Sequence, residues 1–283
     1  MTELPPIVRK LCDDAAVFPP GSAPLADAVP AHLAHRASPY RELVGPLVLA
    51  APALDALGPL LDEGCRLEVA VTAPDGPAQI ADALATADTL PVEVRAIEVA
   101  VPAGTEVTGF FAALDAVPHS AAVYVEVPRD ERRPEVIAGC AERGHGAKLR
   151  TGGVRADLYP DEAELGTAIM ALVAAGVRFK ATAGLHHAIR NTDPGTGFEQ
   201  HGFLNVLLAT DAALRGGDVV AALAERDGCA VADAVRALDA GQVSAVRRAF
   251  ASFGTCSITE PLHDLQDLDL IPASLTPRQG TIL

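Results

Sequence analysis

Short runs rich in β-branched and small apolar residues recur about every 25 to 30 residues along most of this chain, roughly the length of one strand–helix unit. That period constrains the fold more than any other feature. The runs are Ala15–Phe18, Leu47–Ala50, Leu67–Thr72, Val94–Val101, Ala122–Val127, Ala147–Arg150, Arg178–Thr182 and Ala251–Ile258. Between them lie Ala/Leu-rich segments with helical spacing, the alternation expected of a parallel α/β protein. Gln79–Ala87 places Ile80 and Leu84 on one face, and Thr105–Val117 stops before Pro118. Asp161–Ala175 opens after Pro160 and ends at Gly176, a start and a stop signal in the right order. Only the last interval breaks the period. It holds helical segments at Gly202–Leu214, Val219–Arg226, Val231–Leu238 and Val243–Phe250. Eight strands at near-constant spacing predict a (β/α)8 TIM-type barrel of the α/β class, with extra helices between strands 7 and 8. An open doubly wound sheet would carry a GxGxxG turn after its first strand, whereas this chain reads Phe18-Pro19-Pro20-Gly21 there. No linker composition interrupts residues 1–273, expected as a single barrel domain, with 274–283 as a C-terminal tail.

Charge and cysteine usage narrow the partners. The formal net charge of −15 over 283 residues repels nucleic-acid phosphates and anionic lipid, so neither is an expected partner. A small-molecule substrate is expected instead, taken up by the chain alone or within a homo-oligomer. Five scattered cysteines without a CxxC pair fit reduced thiols, and Met1–Lys10 lacks the apolar run of a secretory signal. No stretch has the apolar length needed to span a membrane, so a cytoplasmic protein is expected. Against this acidic background, an inward-pointing cation is informative. Of the 22 basic residues only Lys10, Lys148 and Lys180 are lysines, so amines are kept at very few positions.

Functional groups of such a barrel project from the C-terminal ends of its strands. Two neighbouring strands there carry a lysine, then a hydroxyl, then glycine: Lys148-Leu149-Arg150-Thr151-Gly152-Gly153-Val154-Arg155 and Phe179-Lys180-Ala181-Thr182-Ala183-Gly184-Leu185-His186-His187. Alternation puts Lys148 on one face with Arg150, and Lys180 with Thr182 and, were the strand to continue, His186. A lysine facing the helices would be buried without a partner, so both are expected inside the barrel. Two adjacent ammonium groups and partial desolvation would depress a lysine pKa and free an amine able to form a Schiff base. Alternatively each lysine pairs with a carboxylate such as Glu126, or binds a substrate anion.

The two lysine stretches resemble those of the deoxyribose-phosphate aldolase-type class I aldolases, here in the reverse chain order. The resemblance implies a barrel lyase in which Lys180 is the Schiff-base lysine and Lys148 the neighbour that tunes it. It implies no metal and no cofactor.

Around these lysines, His186 and Glu126 are candidate proton carriers. Arg150, Arg155 and the backbone of Thr151-Gly152-Gly153 could grip a phosphate or carboxylate, as could the exit of the last strand at Gly254 and Thr255. Thr182, His187 and Asn191 complete the expected substrate-binding set. Cys256 reads as a small buried hydrophobe. Glu68 and Glu98 read as a polar layer or as strand-edge residues, and Asp13 and Asp14 precede the first expected strand at the stabilising end. The leading expectation is an aldolase-like enzyme acting on a small carbonyl compound, phosphorylated or carboxylated. Two other classes remain: a metal-dependent barrel enzyme using His186, His187 and His201, and a non-catalytic barrel that binds a sugar phosphate.

Overall fold

A strand covered on one side by helices and facing a barrel lumen on the other alternates helix-facing with lumen-facing residues. The computed structural model, which describes residues 3–62 and 64–275, shows this division. The barrel strands are β1 (Cys12–Asp14), β2 (Val44–Ala50), β3 (Leu67–Ala73), β4 (Val92–Ala100), β5 (Ala122–Glu126), β6 (Gly146–Arg150) and β7 (Phe179–Thr182). A two-residue hairpin follows, β8 (Asn191–Thr192) with β9 (Glu199–Gln200), before the last barrel strand, β10 (Phe250–Thr255). The eight barrel strands close in the order β1-β10-β7-β6-β5-β4-β3-β2, every pair parallel. The protein is therefore a (β/α)8 barrel.

Outward residues Leu47, Leu49, Val69 and Val71 pack under Val29 of α1 (Leu25–Ala37) and Ala83 of α2 (Ala78–Ala87). Further round, Ile97, Val99, Val123, Val125, Ala147 and Leu149 pack under α3 (Val107–Asp115), α4 (Arg133–Arg143) and α5 (Glu162–Ala174). Inside, Val48, Ala70, Ala96, Tyr124 and Ala251 form a separate small cluster. The three alanines among them leave room above for charged groups and a cavity. After β7 come α6 (Phe203–Arg215), α7 (Val219–Ala224), α8 (Gly228–Arg236) and α9 (Ala240–Ala249), which account for the long interval, and α10 (Thr259–Asp267) follows β10. Asp161 caps α5 by accepting from the Glu164 backbone N–H, and a capping box between Asp239 and Gln242 opens α9.

The expected first strand is misplaced. Ala15–Phe18 lies in the loop, and the strand is Cys12–Asp14, whose two carboxylates disguise it as a turn. Alternation sends Asp13 into the barrel and Asp14 outward to His32 of α1, 2.9 Å away, so both are buried and paired. Neither sits apart at a stabilising end. Seven of the eight strands overlap the expected runs, whereas α1 and α10 were not foreseen, nor was α4, although Pro134 opens it and Gly144 closes it. The expected tail begins within the turn Ala273–Leu275, whose Leu275 is buried, and residues 276–283 lie outside the described residues. Among the described residues no helix is long and apolar enough to cross a membrane.

Candidate functional site

The parallel register sets the site. Lys148 pairs across the sheet with Lys180 on one side and with Glu126 on the other, while Arg150 pairs with Thr182. Identical parity sends Lys148, Lys180 and Glu126 into the lumen together. One strand further, Glu98 of β4 points the same way, and from the opposite wall comes Asp13 of β1.

These groups join into one ion-paired ladder across the barrel. Ser252 Oγ donates to Asp13 Oδ2 at 2.7 Å, and Lys180 Nζ donates to the same oxygen at 2.6 Å. Lys180 also donates to Glu98 Oε1, whose other oxygen accepts from Lys148 Nζ at 3.2 Å. Lys148 reaches Glu126 Oε2 at 2.9 Å, and Arg150 Nε donates to Glu126 Oε1 at 2.9 Å. Asp13, Glu98 and Glu126 thus balance Lys148, Lys180 and Arg150. Charge balance is what makes the cluster tolerable: Lys180 and Glu98 are each 2% exposed, and an unpaired charge at that depth would cost several kcal/mol.

Three carboxylates reverse the expected chemistry of the lysines and leave the alternative of carboxylate pairing. Burial works to lower the Lys180 pKa, yet Asp13 and Glu98 outweigh it and hold the group well above its ordinary value. Lys148 is also raised, with Glu126 and Glu98 overcoming burial and the nearby Lys180. Mutual repulsion does not free an amine here, because a carboxylate stands between the two ammonium groups. Burial tends to raise Glu98 and Glu126, but the cations prevail: Glu98 lies below the usual carboxylate range and Glu126 at about 2. Asp13 differs. Burial dominates there and pushes its pKa up despite Lys180 and Ser252.

Above the ladder opens a cavity of about 470 Å³ at the C-terminal ends of the strands. Glu98, Glu126, Lys148, Arg150 and Lys180 contribute to its floor and walls, Thr182 and Gly254 line it higher up, and Phe18, Pro19, Val154 and Leu158 supply apolar surface. The loop after β7 turns sharply at Ala183 and Gly184, both with positive φ, so the strand does not continue to His186. His186 reaches the cavity from the loop instead, with Nδ1 3.5 Å from Cys256 Sγ and 3.4 Å from Glu260 Oε2. Cys256 lines the cavity beside it, half-buried, and is not the enclosed apolar filler expected.

Other expected site residues serve the frame. Thr151 is fully buried, and its Oγ1 donates to the carbonyls of Thr182 and Ala183, clasping the ends of β6 and β7. A Cβ on Gly152 would fall 2.9 Å from the Gly184 Cα, so Gly152 is needed for close approach of the two loops. Gly153 does line the cavity. Arg155 is exposed and tied to Asp157, and Thr255 is buried, donating to the Ser257 carbonyl. His187 is paired with Asp264, and Asn191 belongs to the hairpin, its side chain donating to the Ile189 carbonyl. His201 is buried against the Pro160 carbonyl, 2.8 Å away, apart from the other two histidines. Among the described residues no group of three or more His, Cys, Asp or Glu is placed to hold a metal ion. Glu68 pairs with Lys10, Arg36 and Arg95 and does not line the cavity.

Sequence reasoning passed over Asp13 and Ser252 and undervalued Glu98. Parity within β4 was the available signal for Glu98, since it lies two residues from Ala96 and Ala100 on the inward face. No protein-family model matches this chain, and no curated protein matches it.

Proposed function

We propose that the protein is an enzyme acting on a small carbonyl compound through an imine on Lys180, in the manner of an aldolase-type lyase. The observation that carries the reading is the contact between Lys180 Nζ and Asp13 Oδ2, 2.6 Å apart at the floor of a cavity sized for a small metabolite. Imine formation needs a neutral amine, so the ammonium proton must have an acceptor. Asp13 is the carboxylate of the ladder whose basicity burial increases, and it touches the amine directly.

When a bound carbonyl compound displaces water from the cavity, the proton of Lys180 passes to Asp13 and leaves a neutral pair. The amine nitrogen then bonds to the carbonyl carbon while the C=O π bond breaks, and the proton returns to that oxygen. The carbinolamine nitrogen gives its second proton to Asp13, which passes it to the hydroxyl; water leaves as the nitrogen lone pair closes the C=N bond, giving the iminium and regenerating the carboxylate. The iminium then draws electrons from the adjacent C–C or C–H bond, the step common to aldol cleavage and isomerisation. Glu98 and Lys148 hold the amine in place through the ladder, and Arg150, whose side chain is 37% exposed, faces the cavity as a partner for a carboxylate or phosphate.

The test is borohydride reduction with a panel of short aldehydes and ketones, half of them phosphorylated or carboxylated, followed by intact mass and peptide mapping. An irreversible adduct on Lys180, absent from Lys180→Met, is expected. No adduct with any of the panel, or adducts on the α-amino group and Lys10 alone, would refute the reading.

A further inference from the structure

The cavity holds a second nucleophile at its mouth, built by the loops that leave β7 and β10 and by α10. Cys256 follows β10 directly, and its Sγ lies 3.5 Å from Nδ1 of His186, which is carried by the loop after β7. Glu260, in the first turn of α10, places Oε2 3.4 Å from the same nitrogen. Thiol, imidazole and carboxylate thus meet on one ring atom, and both Cys256 and His186 line the cavity.

The loop after β1 packs behind the thiol: a Cβ on Gly21 would stand 2.9 Å from the Cys256 Cβ, so that wall admits only glycine and leaves the sulfur facing His186. The groups facing His186 favour its protonated form. Its pKa rises to about 10 through the contacts with Cys256 and then Glu260, against the effect of burial. Asp193 lies near enough to feel the imidazole charge, while His187, the adjacent cation-forming group, is drawn off by Asp264. Cysteines beside such an imidazole are reactive toward electrophiles, whereas Cys12 and Cys140 here are buried and pushed up by burial, and Cys229 is exposed on α8.

We infer that Cys256 and His186 form a nucleophilic pair that captures aldehydes covalently and reversibly at the cavity mouth. The pair shares one proton, which rests on His186 and leaves the sulfur as the thiolate. The sulfur then bonds to the aldehyde carbon, the C=O π bond breaks, and the imidazolium returns the proton to the resulting oxygen as a thiohemiacetal. No oxidant or other co-reactant is required. The pair does not depend on the Lys180 imine, so either can be disproved without the other.

Timed alkylation of the full chain by iodoacetamide at pH 7, read on separate peptides, measures it. Cys256 is expected to react at least ~10-fold faster than the more exposed Cys229, and His186→Gln to remove that advantage. Glu260→Gln, on the helix surface, is expected to reduce it as well, which keeps the test open if the first variant folds poorly. Excess propionaldehyde without borohydride should slow labelling of Cys256 and leave Cys229 unchanged. Labelling of Cys256 no faster than of Cys229, or the same rate in both variants, overturns the pair. Lack of protection by propionaldehyde overturns the aldehyde as its ligand. The reduced adduct on Lys180 is read on a different peptide and reports on the imine alone.

Discussion

Glu98 holds the ladder together, and removing its charge is the sharpest perturbation of this barrel. It is 2% exposed and accepts from both Lys148 and Lys180, so Glu98→Gln leaves two buried ammonium groups with only Asp13 and Glu126 to offset them, while Arg150 still draws on Glu126. Breaking a buried ion pair by removing one partner costs about 3–5 kcal/mol. For a chain of this size each kcal/mol moves the melting midpoint by about 2–4 °C, so a fall of about 6–20 °C is expected. Lys148→Met alone should cost a similar amount, because it strands Glu98 and Glu126 with less compensation. Together the two changes remove one charge of each sign and restore the balance of the remaining groups. The double variant is therefore expected to be more stable than the sum of the single losses by about 1–3 kcal/mol. Thermal and urea melts of the four proteins at pH 7 give the coupling, and raising salt to 1 M should barely change it, since the pair is shielded from solvent ions. Additivity within about 0.5 kcal/mol would show that Glu98 and Lys148 act independently and would sink the ladder as an energetic unit.

Four further outcomes follow from single contacts. Glu126 is depressed to about 2 in the folded protein, so its contribution is present above its ordinary value near 4.5 and is lost as pH falls toward 2. That shift corresponds to about 3 kcal/mol, and Glu126→Gln should flatten the melting profile over this acid range; a profile parallel to that of the parent would contradict it. At the other limit, Lys180 is raised, so its stabilisation holds below the unfolded lysine value and fades only as pH climbs through the higher folded one. Gly139→Ala in α4 would set a methyl 2.2 Å from the Phe111 ring, costing roughly 1–3 kcal/mol of overpacking against about 1 kcal/mol of helix propensity gained. Gly109→Ala in α3, with nothing within 4 Å, should by contrast stabilise, and equal melting points for the two variants would show that the Phe111 contact relaxes freely. Arg150→Ala should raise KM for carboxylated or phosphorylated carbonyl substrates at least ~10-fold while sparing neutral ones, and an equal rise for both would place Arg150 outside substrate recognition.

The period of the strands was readable because β2 to β7 each carry an apolar outward face that must pack under helices, and that requirement writes a pattern. β1 escaped for the opposite reason. Its Cys-Asp-Asp sequence has little outward surface of its own, and it is a strand because Lys180 and Ser252 inside the barrel, and His32 outside it, satisfy its two carboxylates. No local rule contains those partners, which lie as far as 239 residues away in sequence. The lysines were found by rarity and parity, and pairing of Lys148 with Glu126 was foreseen as one alternative, but Lys180 is held charged by Asp13 and then Glu98, both on strands not adjacent to β7. A barrel makes this error recurrent: residues on strands two or three apart meet in the lumen, so the charge state of an inward side chain such as Lys180 is set by residues that neither sequence proximity nor sheet neighbourhood identifies. What the sequence shows of this site is its inward cations and one inward carboxylate, Glu126. The chemistry of the cations depends on which carboxylates the far wall supplies, and here it supplies Asp13, the one whose burial raises its basicity, against the one amine that can use it.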